Sequence, residues 1–264
     1  MKIIILRSAC HAKAKNNHSL DSIIYLIRGG IALLASAVYL SNAWDAIMTM
    51  KKLSTLLSLG VLFAIEATSS YAADVSYSAA SIIDWKHKSF SGDTAYSVVY
   101  DEQLQKKVIQ ASSMQSASGL FYEQKIDLDK TPWLNWSWRV EKFPTISDEK
   151  KKAGDDFAAR IYIVVQDGWT FLSTKAISYV WSQQASANDI WPNPFTGDKA
   201  MMLAVRADQD GNGWVTEKRN IKADLQKLFG KEIRYIKAIA IMTDTDNSKS
   251  SAISYYSDIR LTEE

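Results

Sequence analysis

The sequence predicts an all-β fold, a two-layer antiparallel β-sandwich of jelly-roll type with one short helix. Three observations lead there. Nine segments after residue 72 follow the period of two that a half-buried strand requires. Clusters of Gly, Pro, Asn, Asp and Ser stand between them. Only one stretch carries both a helix start and a helix stop, and many strands with a single helix leave sheet-on-sheet packing as the way to bury apolar faces.

The elements follow in order. Strands are expected at 95–100, 107–112 and 119–128, after the turn Phe90-Ser-Gly-Asp. In the next, 134–142, alternation puts Leu134, Trp136, Trp138 and Val140 on one side, the core side, and Asn135, Ser137 and Arg139 on the other. Strand 157–166 is apolar on both sides except at Arg160, so it belongs at the centre of a sheet. A partly buried Arg160 then needs a carboxylate, from Asp155, Asp156 or another loop. Strand 176–182 follows the turn at 166–168, and strand 201–206 follows Trp191-Pro-Asn-Pro. The helix is expected at 221–229, with Asn220 as its N-cap and Gly230 as its left-handed stop. Strands 236–243 and 253–261 close the chain around Asp244-Thr-Asp-Asn-Ser.

Everything before Asp74 reads as a leader. Residues 50–72 have a short basic start (Lys51, Lys52), an apolar run from Leu53 to Ile65 and a small-residue exit through Ser70 and Ala72. This is the pattern of a signal peptide cleaved after Ala72. Residues 1–49 are then expected to come from a start codon placed too early. Read literally, 23–40 would be a membrane helix, but Arg28 at its centre costs roughly 2.5–3.5 kcal/mol on insertion scales. The expected product is a single domain, 73–264, periplasmic or secreted, with no membrane span of its own.

Composition narrows the chemistry. Of 31 Lys+Arg and 29 Asp+Glu, seven and three lie in residues 1–72, leaving 24 and 26 in the domain. A near-neutral surface offers no electrostatic footprint for nucleic acid. The one cysteine, Cys10, lies in the leader, so the domain has neither disulfide nor thiolate. His87 is its only histidine, which excludes a His-pair zinc site and argues against a Ser-His-Asp triad. Eight of nine tryptophans fall in the domain, as a bulky core or as an aromatic platform for sugars.

Three constellations could carry a ligand. Asp208, Asp210 and Asn212 occupy positions one, three and five of a calcium loop, with Gly213 at position six. Position twelve is Arg219 where a bidentate Glu is required, so a plain hairpin turn competes with calcium, and no other cofactor is expected. Asp244, Asp246 and Asn247, at the end of an apolar strand, could grip sugar hydroxyls or a cation, or make Asx turns. Asp155, Asp156 and Arg160, with Tyr179 and Trp181, could hold hydroxyls bidentately and stack a pyranose. The same residues could equally be a buried ion pair and core aromatics.

The runs Gly154-Asp-Asp-Phe-Ala-Ala-Arg-Ile-Tyr-Ile, Tyr179-Val-Trp-Ser, Glu217-Lys-Arg-Asn-Ile-Lys-Ala-Asp-Leu, Ile239-Ala-Ile-Met-Thr-Asp-Thr-Asp-Asn and Tyr255-Tyr-Ser-Asp-Ile-Arg-Leu resemble the bacterial exported family catalogued as domain-of-unknown-function 3047. The resemblance covers about residues 82–262 and implies an exported jelly-roll-like domain without naming an activity. The expectation is therefore a sandwich like a carbohydrate-binding module, holding a glycan or cell-envelope polymer without turnover. A polysaccharide hydrolase or lyase using Asp155 or Asp156 with Asp244 or Asp246 is the first alternative. A structural envelope partner is the second.

Overall fold

A computed structural model describes residues 74–166, 173–207 and 213–264. The calcium-loop residues Asp208, Asp210 and Asn212 lie outside the described residues, as do Trp169 and the leader. Among the described residues thirteen strands make two sheets. The first sheet has the order β11 (Val215–Asn220), β6 (Trp133–Lys142), β13 (Ser251–Thr262), β4 (Lys106–Met114), β3 (Ala95–Asp101). Beyond the point where β4 stops pairing, β1 (Val75–Tyr77) takes the far end of β13. The second sheet runs β2 (Lys86–Ser91), β5 (Ala117–Asp127), β12 (Tyr235–Asp244), β7 (Arg160–Gln166), β8 (Thr174–Ser182), β10 (Gly197–Ala207), β9 (Ile190–Asn193). The expected two-layer sandwich is the fold observed.

Its pairs are antiparallel with one departure, β8 against β10, which is parallel. A parallel neighbour cannot be reached by a tight hairpin. The chain between β8 and β10 therefore makes an excursion, and that excursion carries β9. Four strands were not expected. β2 is exposed along nearly its whole length and gives no apolar alternation. β9 contains Pro192, which reads as a turn but is tolerated on an edge strand. β1 is three residues long, and β11 is mostly polar. Strand 157–166 is shorter than expected, because β7 begins only at Arg160.

The helices are α1 (Ala79–Ile82), one turn that packs Ala79 and Ile82 into the core, and α2 (Ile221–Phe229). The Asn220 side chain accepts the Ala223 N–H at 2.9 Å, and Gly230 turns left-handed at φ 67°, as the sequence predicts. Helix α2 buries Ile221 and Leu225.

The core lies between the sheets. Leu134, Trp136, Trp138 and Val140 from β6 meet Ile161, Ile163 and Val165 from β7, with Tyr179 and Trp181 from β8. The rings pack closely, Trp136 edge-on to Trp138 at 5.3 Å and stacked on Tyr179 at 5.7 Å. Each such side chain contributes roughly 1.5–3 kcal/mol by leaving water. Trp85, Trp136, Trp138 and Trp181 therefore build the core rather than an open platform, and Trp191 is buried in a second apolar cluster with Phe157, Val180 and Met202. At one end of the core a polar belt joins the layers. The Tyr256 hydroxyl on β13 donates to the Met242 carbonyl at 2.6 Å and accepts the Arg160 N–H at 3.1 Å. Beside it the Thr243 and Ser254 hydroxyls lie 2.9 Å apart.

Candidate functional site

Directly outside that belt, on the outer face of the second sheet, lies a pocket of about 340 Å³. Alternation explains its floor. In β7, Ile161, Ile163 and Val165 point into the core, which sends Arg160 and Tyr162 outward. Register aligns Met242 of β12 with Arg160 on one side and Gly119 of β5 on the other. Phe90 from β2, Ala117 from β5, and Asn193 and Phe195 from the β8–β10 excursion complete the lining together with Asp155, Asp244, Asp246 and Asn247.

Arg160 organises the centre and is only 2% exposed. Its Nη2 donates to the Asp155 carbonyl at 2.6 Å and to a carboxylate oxygen of Asp244, while Nη1 donates to the Tyr162 hydroxyl at 3.0 Å. The guanidinium also lies 4.5 Å from the centre of the Phe157 ring. Each aspartate has a separate task. Asp155 accepts the Asn193 amide at 2.8 Å, tying the β8–β10 excursion to the floor. Asp244 accepts the Phe157 N–H at 3.1 Å. Asp156 accepts the backbone N–H groups of Asn247, at 3.1 Å, and Ser248, so it fixes the loop after β12. Asp246 is half-buried, and its one protein partner among the described residues is the Asn247 amide at 3.3 Å, on a single oxygen.

Burial raises the Asp155 carboxyl above its usual range although Arg160 pulls the other way, and it raises Asp244 more strongly. Burial opposes the Arg160 charge too, but Asp244 beside it prevails and holds the guanidinium more firmly protonated than usual. The Tyr162 hydroxyl is likewise raised by burial. Asp156, Asp244 and Asp246 each bring a carboxylate oxygen within 4.8 Å of the others, a spacing on which a hard divalent cation fits.

Six of the eight ligand-contact residues named from the sequence thus come together: Asp155, Asp156, Arg160, Asp244, Asp246 and Asn247. Tyr179 and Trp181 do not join them. Both are buried in the core on the opposite face of the second sheet, where the Tyr179 hydroxyl donates to Asp224 at 2.9 Å. The reason is the strand's double burial: Ser178 to Ser182 are all buried, so polarity gives no sign of which side faces out. The residues sequence reasoning missed are Phe90, Tyr162, Asn193 and Phe195. Tyr162 carried a usable signal, since it stands two residues from Arg160 on one strand. Asn193 is hidden between two prolines.

Residues 83–260 match the family described as Protein of unknown function (DUF3047). The chain belongs to this family. No curated protein matches it. Among solved structures, this DUF3047 domain is similar to the family 30 carbohydrate-binding module of a Clostridium thermocellum cellulosomal cellulase. There the identity is 11%, over 73% of this chain and 98% of that one, with TM-score 0.41. A meso-active thermostable cellulase derived from the Cel12A cellulase of Rhodothermus marinus matches at 9% identity over 71% and 100% of the two chains, TM-score 0.40. The glycoside hydrolase domain of Streptococcus pneumoniae Endo-D matches at 9% identity and TM-score 0.38 over 68% of this chain, which spans only 22% of that one. Among the described residues no helix is long and apolar enough to cross a membrane.

Proposed function

We propose that this DUF3047 protein is an exported, non-catalytic binding domain that holds a glycan or envelope polymer in the pocket over Arg160. One observation carries the reading: exposed phenyl rings stand at the mouth of a pocket whose floor is a fixed polar network. Phe90 and Phe195 are 55% and 53% exposed, although they are large and apolar. Rings left open beside oriented polar groups suit a sugar, which has an apolar face and a hydroxyl edge. The floor is already braced by Asp155, Asp156 and Asp244, so little ordering would oppose binding. The leader pattern of residues 50–72 supports export.

The test is calorimetric titration of an oligosaccharide panel into the wild type, Phe90→Ala and Phe195→Ala. Both rings are exposed, so both variants should fold. Each is expected to weaken binding by roughly tenfold, the value of one well-packed contact. Wild-type affinity retained in both variants would remove the pocket from the reading.

A hydrolase remains the second reading, on one specific observation. Asp155 and Asp244 both meet Arg160, and burial raises both, as an acid catalyst requires. Against it, both carboxylates are already engaged by backbone or side-chain donors. Release of reducing ends by the wild type, lost in Asp244→Asn, would favour the hydrolase over the binder.

A further inference from the structure

The charge balance of this pocket points to a narrower ligand class, an inference that rests on the glycan reading above. We propose that the pocket selects a polymer of unacetylated amino sugars, with a protonated amine at Asp246 and hydroxyls at Tyr162 and Asn247. The pocket lining carries three carboxylates, Asp155, Asp244 and Asp246, with the buried Asp156 close beside Asp244 and Asp246, against Arg160 as the one buried cation among the lining residues. That cation is spent inward on Asp155, Asp244 and Tyr162. An anionic sugar would meet uncompensated carboxylates, whereas an ammonium group would relieve them.

Three further details fit an amine. Asp246 keeps one oxygen with no partner among the described residues, on the half-buried side chain nearest solvent in the cluster. The Tyr162 hydroxyl accepts from Arg160, which leaves its own proton for a sugar oxygen. The ring faces at the mouth already receive ammonium groups: Lys88 Nζ stands 5.1 Å from the centre of Phe90, and Lys152 Nζ 5.3 Å from that of Phe195. Both lysines are exposed and on long stems, so they can swing aside and leave the ring faces to the apolar face of the sugar while the amine goes to Asp246.

The experiment titrates the full-length protein with glucosamine tetramer, N-acetylglucosamine tetramer and galacturonate tetramer, with and without chelator. The unacetylated tetramer should bind about tenfold tighter than its acetylated twin, as expected for one charge-assisted hydrogen bond, and the uronate should not bind. Asp246→Asn should erase that difference, Phe195→Ala should weaken both tetramers alike, and chelator should change nothing. If Asp246→Asn fails to fold, the wild-type comparison of the two tetramers decides alone. Equal or tighter binding of the acetylated tetramer overturns the amine assignment and leaves glycan binding standing. Calcium-dependent binding of the uronate overturns it as well, since the carboxylates would then serve a metal. Failure of every tetramer and of the wider panel removes both readings together.

Discussion

Arg160 shows how much the setting of one residue in the chain can reveal. A cation inside a strand that is apolar on both sides must be paired, and the aspartates just before it are the nearest candidates. Asp155 does meet it, but the partner with the firmest hold is Asp244, 84 residues away, which no local spacing indicates. Asp155 also gives a pH prediction. Its folded carboxyl holds a proton to higher pH than the unfolded chain, whose usual value is 3.8. Its contribution to stability is therefore complete below that value and is lost as pH rises through the raised folded value. In Asp155→Asn this titration is absent. The variant's melting temperature, relative to wild type, is expected to climb over the pH range above the unfolded value of 3.8. A constant gap across that range would show that Asp155 titrates like an exposed carboxylate.

Elements were legible where one face is apolar and the other polar. β6 is the clearest case, since its alternation assigns the core side of all four inward residues, and α2 is bounded by side chains that act as its caps. β2 and β9 were not legible, because an edge strand need not bury either face and can even carry proline. The approach to β7 also departs from what its apolar run suggests. Residues 157–159 are buried and apolar but do not pair as β7, because Asp155 and Asp156 must turn here toward their partners. The short 3-10 turn Lys152–Gly154 sets that direction. A Cβ at Gly154 would collide with the Asp148 carbonyl, which is backbone and cannot swing aside. Gly154→Ala is therefore expected to destabilise the fold by roughly 1–3 kcal/mol. Urea denaturation measures this, and an unchanged midpoint would mean that the preceding loop yields freely.

At the scale of the whole molecule, the layered architecture was readable because only sheet-on-sheet packing buries so many alternating strands around one short helix. The topology was not, since partner choice depends on contacts far apart in sequence. What joins the two layers near the pocket is the polar belt centred on Tyr256. Tyr256→Phe keeps the ring but leaves the buried Arg160 N–H without its acceptor and the Met242 carbonyl without the hydroxyl donor. The expected cost is about 1–3 kcal/mol, read as a lower urea midpoint with an unchanged slope. A changed slope would instead indicate that the layers no longer unfold together.

The parallel pairing of β8 with β10 has a consequence for how such proteins diversify. Because the intervening chain must detour, a stretch carrying Asn193 and Phe195 lies outside the main ladders while still forming one wall of the cavity. Insertions and substitutions there can reshape what the cavity accepts while the two layers and their joining belt stay as they are. Relatives built on the same scaffold would then drift in preference through this one detour, much as a lock is rekeyed without replacing the door.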